Sequence, residues 1–273
     1  MSESYSGMRS SGLRAALIFV AYHPGQEEVK RLQACLSALP EWIGYVVVAN
    51  DHRVGEAVDQ LMANSLLFLG NQDNPGYGRA VNQAVQALQE RDVLPSFIGA
   101  INTDITWVPG TFARLITWLE KRPDVVLAVP RLISSSGETQ HLCKHDPTVL
   151  GLFSRRFVPQ FMKPRALRRY DEWYVMSEKN YATIFDVEYL SGCCMLIRSA
   201  AFLEVGGFDS DFFLYLEDAD ITRALRRIGR AIHLPLESVI HNWGRGNYRS
   251  WRLVFVNLHS AWIYFCKWGF KLF

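Results

Sequence analysis

The sequence predicts an α/β protein with a mostly parallel central sheet flanked by helices, and three observations carry that prediction. Short apolar runs recur through the first half: "AALIFVA" (15–21), "GYVVVAN" (44–50), "SLLFLG" (65–70), "SFIGAIN" (96–102) and "VVLAVP" (125–130). They do not alternate with polar residues, as expected of strands covered on both faces. Segments with helical periodicity separate them, at Glu27–Ala38, Gly78–Glu90 and Gly110–Lys121, giving a βαβα rhythm. Polar residues follow several runs: Tyr22-His23, Asn50-Asp51, Asn71 to Asn74 and Asn102 to Asp104. Sheets of this kind bind ligands at the carboxyl ends of their strands, so these are the first candidates.

Bulk properties bound the function. The chain's 273 residues, 49% hydrophobic and 21% charged, suffice for a proper core. A net charge of +2 disfavours nucleic acid as a partner. Five cysteines without a C-x-x-C pair, and no signal-peptide pattern, lead us to expect reduced thiols and a cytoplasmic location, extending to the inner face of the cell membrane. The polar opening "MSESYSGMRSSG" (1–12) is expected to be a disordered tail.

From about 135 to 186 the rhythm breaks in a stretch of basic, aromatic and proline residues. It reads either as an irregular surface insertion or as loops that cover a site and contact an acceptor. A strand-like "VEYLSGCCMLIR" (187–198), a short helix near Ser199–Val205 and a "GGFDSDFF" turn lead into "FFLYLEDADITRAL" (212–225). There Glu217, Asp218 and Asp220 open a helix directly after an aromatic run. Acids in a first helical turn are stabilised by the helix dipole, about 0.3–1 kcal/mol each. The same placement suits a general base at the floor of an aromatic-walled site.

Two further stretches carry chemistry. In "INTDITWVPG" (101–110), Asp104 either caps a turn or reaches a divalent cation that holds a nucleotide diphosphate. In "NQDNPGYGRAVNQAV" (71–85), Gly76 and Gly78 open a helix whose free N–H groups suit an anion, with Arg79 beside them; an Asn-Pro-Gly turn explains much of the same pattern.

In order and spacing, "FVAYHP", "NPGYGRAVN", "NTD", "SGCCMLIRSAAFLEVGGFDSDFFLYLEDADITRALRRIGRAIHLP" and "VIHNWG" closely resemble the family 2 glycosyltransferases of the GT-A fold, many of them bacterial rhamnosyltransferases of surface-polysaccharide synthesis. The resemblance covers roughly 14–245. It implies a Rossmann-like catalytic domain over 13–245, with a nucleotide-binding half (13–130) and an acceptor and catalytic half (131–245), then a helical extension (246–273). It makes Asp218 the base that deprotonates the acceptor hydroxyl in an inverting transfer, with Glu217 positioning it and Asp220 and Trp243 on the acceptor side.

The family's metal-binding acidic triplet falls on Asn102-Thr103-Asp104, whose first acid is an Asn here. The resemblance therefore implies Mg²⁺ or Mn²⁺ held by Asp104 and His241. Donor contacts fall on Tyr22, Asp51, Asn74, Gly76, Arg79, Asn102 and Asp104. Relatives end the second strand with Val-Asp-Asn; this chain has Ala49 in the acid's place, and Asp51 is the candidate replacement. The implied donor is dTDP-rhamnose first and a UDP-hexose next, and the acceptor is a glycan or lipid-linked glycan.

Two alternatives stand beside this reading. A nucleotidyltransferase requires a basic Gly-rich loop after the first strand, which "YHPGQEE" does not supply. A catalytically silent glycan-binding scaffold draws support from Asn102 and Ala49. In the C-terminal segment the uncharged stretch Leu253–Cys266 is shorter than the roughly 20 residues that span a bilayer. Segment 248–273 therefore either packs on the domain or makes peripheral membrane contact.

Overall fold

The computed structural model describes residues 12–242 and 251–273. The tail expected over 1–12 lies outside the described residues except for Gly12, and so does Trp243. The elements run β1 (Ala15–Ala21), α1 (Gln26–Leu36), β2 (Ile43–Ala49), β3 (Leu67–Gly70), α2 (Tyr77–Glu90), β4 (Phe97–Asn102), β5 (Ile105–Thr106), α3 (Thr111–Glu120) and β6 (Val125–Ile133). They continue with β7 (Cys143–Lys144), α4 (Val149–Phe157), α5 (Arg165–Tyr174), β8 (Phe185–Asp186), β9 (Tyr189–Leu190), β10 (Cys194–Arg198), α6 (Ser199–Glu204), α7 (Glu217–Leu225), β11 (Arg230–His241) and α8 (Trp251–Trp268).

The fold is α/β with a mostly parallel sheet. Its nine strands follow the order β3-β2-β1-β4-β10-β6-β11-β5, with β8 pairing on β11. The pairs β1–β2, β1–β4, β2–β3 and β6–β11 are parallel, while β10 runs antiparallel between β4 and β6. Every residue of β2 is buried, and of β1 only Val20 is partly exposed. That two-sided burial is why these strands read as unbroken apolar runs. Because β10 inserts between strands from the first half, one sheet joins both parts of the chain.

Three features differ from the sequence expectations. The stretch 135–186 is not irregular throughout, since it contains α4 and α5, two short amphipathic helices packed on each other. The strand expected over 187–198 is broken into β9 and β10 at Ser191–Cys193. The longest strand, β11, is one the apolar-run criterion passed over, because Glu237 and Ser238 interrupt its pattern at a register shift.

Of the segment 248–273, the described residues 251–273 pack on the domain along one face of α8. Tyr264 and Phe265 join Tyr189, Phe212, Leu216 and Ala219 in a small second core. The backbone N–H groups of Val149 and Leu150, which open α4, donate to the carbonyls of Lys271 and Leu272 at 2.9 and 3.0 Å.

The glycines of "NPGYG" fit α2 against the turn before α7. Gly76 has φ +97°, and a Cβ there would collide with the Phe213 carbonyl oxygen. A Cβ on Gly78 would come within 2.7 Å of the Phe208 side chain. Gly76→Ala is therefore expected to cost about 2 kcal/mol or more, from a left-handed alanine plus a backbone clash. Gly25→Ala, where nothing lies within 4 Å, should change stability by under about 1 kcal/mol. Urea midpoints of the two variants check the contrast; equal midpoints would refute it.

Candidate active site

The break between β9 and β10 makes room for the first turn of α7, and a cavity of about 420 Å³ opens there. Its walls come from the ends of β4 and β11, from α4 and from the segment Leu214–Asp218. Tyr215 and Leu216 have φ +71° and +63°, two consecutive left-handed non-glycine residues immediately before Glu217. Such conformations cost about 1–3 kcal/mol each and persist only where packing imposes them. Here Leu216 is buried in the second core, and the Ser260 hydroxyl of α8 donates to the Leu214 carbonyl at 2.8 Å.

Asp218 lies in the cavity wall, oriented by three donors. The Gly192 N–H donates to Oδ2 at 2.9 Å, while the Tyr189 hydroxyl and the Ala219 N–H donate to Oδ1 at 3.1 and 3.0 Å. Gly192 sits in the strand break, where a Cβ would stand 3.1 Å from the Asp218 Cβ. Burial raises the Tyr189 hydroxyl well above its usual pKa, so it remains a donor to Asp218. The Tyr77 hydroxyl donates to the Gly192 carbonyl at 2.8 Å and ties α2 to the same break.

Glu217 is buried beside Asp218, and its Oε2 has no hydrogen-bond partner among the described residues. Burial first, and the adjacent Asp218 charge second, push its carboxyl up to about 8. The two acids are thus neighbours with different surroundings, one aimed by donors and one desolvated.

Asp104, which follows β4, also lines the cavity. Its Oδ2 lies 3.4 Å from His241 Nε2 at the end of β11, and its Oδ1 is buried with no partner among the described residues. His241 Nδ1 pairs with Gln140 Oε1 at 2.9 Å, which orients Nε2 toward Asp104. Asn102 also lines the cavity. One carboxylate and one imidazole, with an unpartnered buried oxygen between strand ends, fit a partly protein-bound divalent cation. No group of three or more potential ligands occurs among the described residues.

Of the other expected residues, Tyr22, Asp51, Asn74, Gly76, Arg79 and Asp220 do not line this cavity. Tyr22 and Asp51 follow β1 and β2 on the same sheet edge as Asp104. Tyr22 is 58% exposed, and Asp51 pairs through Oδ2 with His23 Nε2 at 3.0 Å. Asn74 bridges Asn50 and the Gly76 N–H, and Arg79 donates to the Ser210 carbonyl at 2.7 Å, so both brace turns. Asp220, expected near the acceptor, is instead buried against α8. Lys267 and the Trp268 indole N–H, at 2.9 and 2.7 Å, occupy its Oδ1.

The site also contains residues not singled out from the sequence. Lys144 lines the cavity with its Nζ 4.2 Å from the Tyr189 ring centroid, and burial lowers its pKa. Arg155 and Arg156 of α4 add positive charge to the wall, and Asn257 comes from α8. The basic-aromatic composition of 135–186 was the available signal for the arginines; Tyr189 and Gly192 gave none.

The cavity thus gathers an oriented carboxylate, an acid–imidazole pair and cationic side chains in one lining. Comparison with known proteins decides what this combination belongs to. No family model matches the chain. Two curated relatives are rhamnosyltransferases. The N-acetylglucosaminyl-diphospho-decaprenol L-rhamnosyltransferase of Mycobacterium tuberculosis is 27% identical over 272 residues, covering 90% of this chain and 85% of that protein. Rhamnosyltransferase WbbL of Escherichia coli (strain K12) is 24% identical over 229 residues, 82% of each chain. A solved structure of GalNAc-T7 with UDP, GalNAc and Mn²⁺ superposes with a TM-score of 0.66 at 14% identity, over 94% of this chain. The chain spans about half of that structure, 48% of its length. The chain is a glycosyltransferase of the GT-A fold, homologous to rhamnosyltransferases. For this glycosyltransferase the fold and kinship expected from the sequence hold.

The Glu217 environment makes stability depend on pH. A carboxyl raised from 4.5 to about 8 binds its proton in the folded state across a range where the unfolded chain has lost it. Its contribution is present below about pH 4.5 and is lost as pH rises through about 8. Urea midpoints of the wild type should therefore fall between pH 5 and 8 more steeply than those of Glu217→Gln. Parallel curves would contradict the assignment.

Proposed function

We propose that this glycosyltransferase moves a sugar, with inversion, from a nucleotide diphosphate to a hydroxyl of a lipid-linked glycan. The observation that carries the reading is the oriented Asp218 carboxylate in the cavity wall. An acceptor hydroxyl that hydrogen-bonds to Asp218 gives up its proton as its oxygen attacks the anomeric carbon, and the nucleotide diphosphate departs from the opposite face. Tyr189 and the Gly192 N–H hold the carboxylate in line, and buried Glu217 fixes the turn that presents it. Relatives' names support rhamnose as the sugar, so dTDP-rhamnose is the first donor to test and a UDP-hexose the second. The name of the mycobacterial relative supports a lipid diphosphate-linked sugar as acceptor.

Asp104 and His241 are the residues that would hold Mg²⁺ or Mn²⁺. Such a cation, when bound, neutralises charge on a departing diphosphate. Lys144, Arg155 and Arg156 supply further positive charge to phosphate groups in the cavity. Tyr22 and Asp51, beyond the cavity on the same strand ends, are the proposed nucleoside contacts.

Two substitutions separate these roles. Asp218→Asn should lower transfer by roughly 10²–10⁴-fold while leaving nucleotide affinity within about twofold. Near-normal turnover by that variant would remove Asp218 from the mechanism. Asp104→Ala should abolish the Mn²⁺-dependent part of nucleotide binding in a calorimetric titration with dTDP and UDP. Unchanged metal dependence would show that the cation is held elsewhere.

A further inference from the structure

We propose that the outer faces of α4 and α8 form a docking surface for an anionic lipid bilayer, beside the cavity. The proposal deepens the function proposed above, since a lipid-linked acceptor would reach the cavity from that surface.

The first observation is apolar exposure with helical order. On α8, Trp251, Phe255, Leu258 and Trp262 are 78, 70, 48 and 62% exposed. Their spacing of i, i+4, i+7 and i+11 places them on one stripe, while Ser260 and Tyr264 on another face are buried against the domain. On α4, Phe153 and Phe157 are exposed four residues apart, and Phe161 just beyond is 84% exposed. The two helices are joined. Leu152 of α4 packs on the cluster containing Tyr264 and Phe265, and the start of α4 is bonded to Lys271 and Leu272.

The second observation is charge. Residues 149–170 and 251–273 together hold nine Lys and Arg and no Asp or Glu, in a chain with 29 basic and 27 acidic residues. Two of the nine, Lys163 and Lys267, pair with Asp171 and with Asp209 and Asp220. Arg165, Arg169, Arg252 and Lys271 are exposed. An apolar stripe flanked by cations matches an anionic lipid surface, with aromatics at headgroup depth and Lys/Arg at the phosphates. The same excess of positive charge opposes the stacking of a second copy face to face.

The third observation links the surface to the site. Leu152, Arg155 and Arg156 line the cavity from α4, and Asn257 does so from α8. The helices that present the apolar stripe therefore also wall the cavity. No helix among the described residues is long and apolar enough to cross a membrane, so these elements lie on the surface.

Co-sedimentation of the full chain with vesicles tests the proposal, comparing phosphatidylcholine alone with phosphatidylcholine mixed with phosphatidylglycerol. The wild type should bind the mixed vesicles about tenfold more tightly or better, with weakening by salt. The triple variant Phe161→Ser, Trp251→Ser, Phe255→Ser alters only highly exposed side chains and should lose about tenfold or more of that binding. Failure of the wild type to sediment, or equal sedimentation of the variant, would overturn the proposal. So would a wild-type dimer in analytical ultracentrifugation that the variant converts to monomer. Nucleotide titration of the same variant keeps the two readings separate. Loss of vesicle binding with nucleotide binding intact tests docking alone, whereas a wild type that binds vesicles but no nucleotide contradicts the transfer reading.

Discussion

Two adjacent carboxyl groups stand at the first turn of α7, Glu217 buried and Asp218 half-buried in the cavity wall, and much of the surrounding structure compensates for their partial loss of water. Desolvating a carboxylate is costly unless donors replace its water. Asp218 receives three donors, one of them from a strand that must break at Ser191–Cys193 to supply the Gly192 N–H. Glu217 has no partner at Oε2 among the described residues, and burial holds its proton to a higher pH. The left-handed pair Tyr215–Leu216 aims both acids and is itself held by α8. Asp220 completes the arrangement from the far side of the same turn, where Lys267 and Trp268 anchor α8 to it. The C-terminal helix is therefore part of the support of the site.

The parallel sheet contributes the other half of the geometry. Its carboxyl edge sets Tyr22, Asp51 and Asp104 in a row after β1, β2 and β4, and β11 brings His241 to Asp104 from 137 residues later in the chain. Lys144, Arg155 and Arg156 line the same cavity, and their charge suits phosphate groups. The proposed function would lay a donor along that edge with its sugar toward Asp218. The glycines at 76 and 78 serve packing: they let α2 approach the turn that precedes the acid pair.

Local pattern carried much of this, and it failed where partners are distant. The strands β1, β2, β4 and β6 were legible because burial on both faces leaves an unbroken apolar run. The acid cluster and Asp104 were legible because their order along the chain follows a known family. The helices α4 and α5 were hidden by their charged outer faces and short lengths. Asp220 looked like a ligand of the site because its partner, Lys267, lies 47 residues away on a helix whose docking cannot be read locally. Arg79 looked like an anion contact beside a glycine turn, but its guanidinium is bonded to the Ser210 carbonyl. Lys144, Tyr189 and Gly192 carry no local signature, since only the folded chain sets them around Asp218.

In the proposed mechanism one carboxylate, Asp218, takes the acceptor's proton during a direct displacement at the anomeric carbon. The stereochemistry of the product reports on that step more directly than any rate. Proton NMR of the glycoside formed from a donor of defined anomeric configuration should show that configuration inverted. A product that keeps the donor's configuration would contradict a single in-line displacement, and with it the role assigned to Asp218.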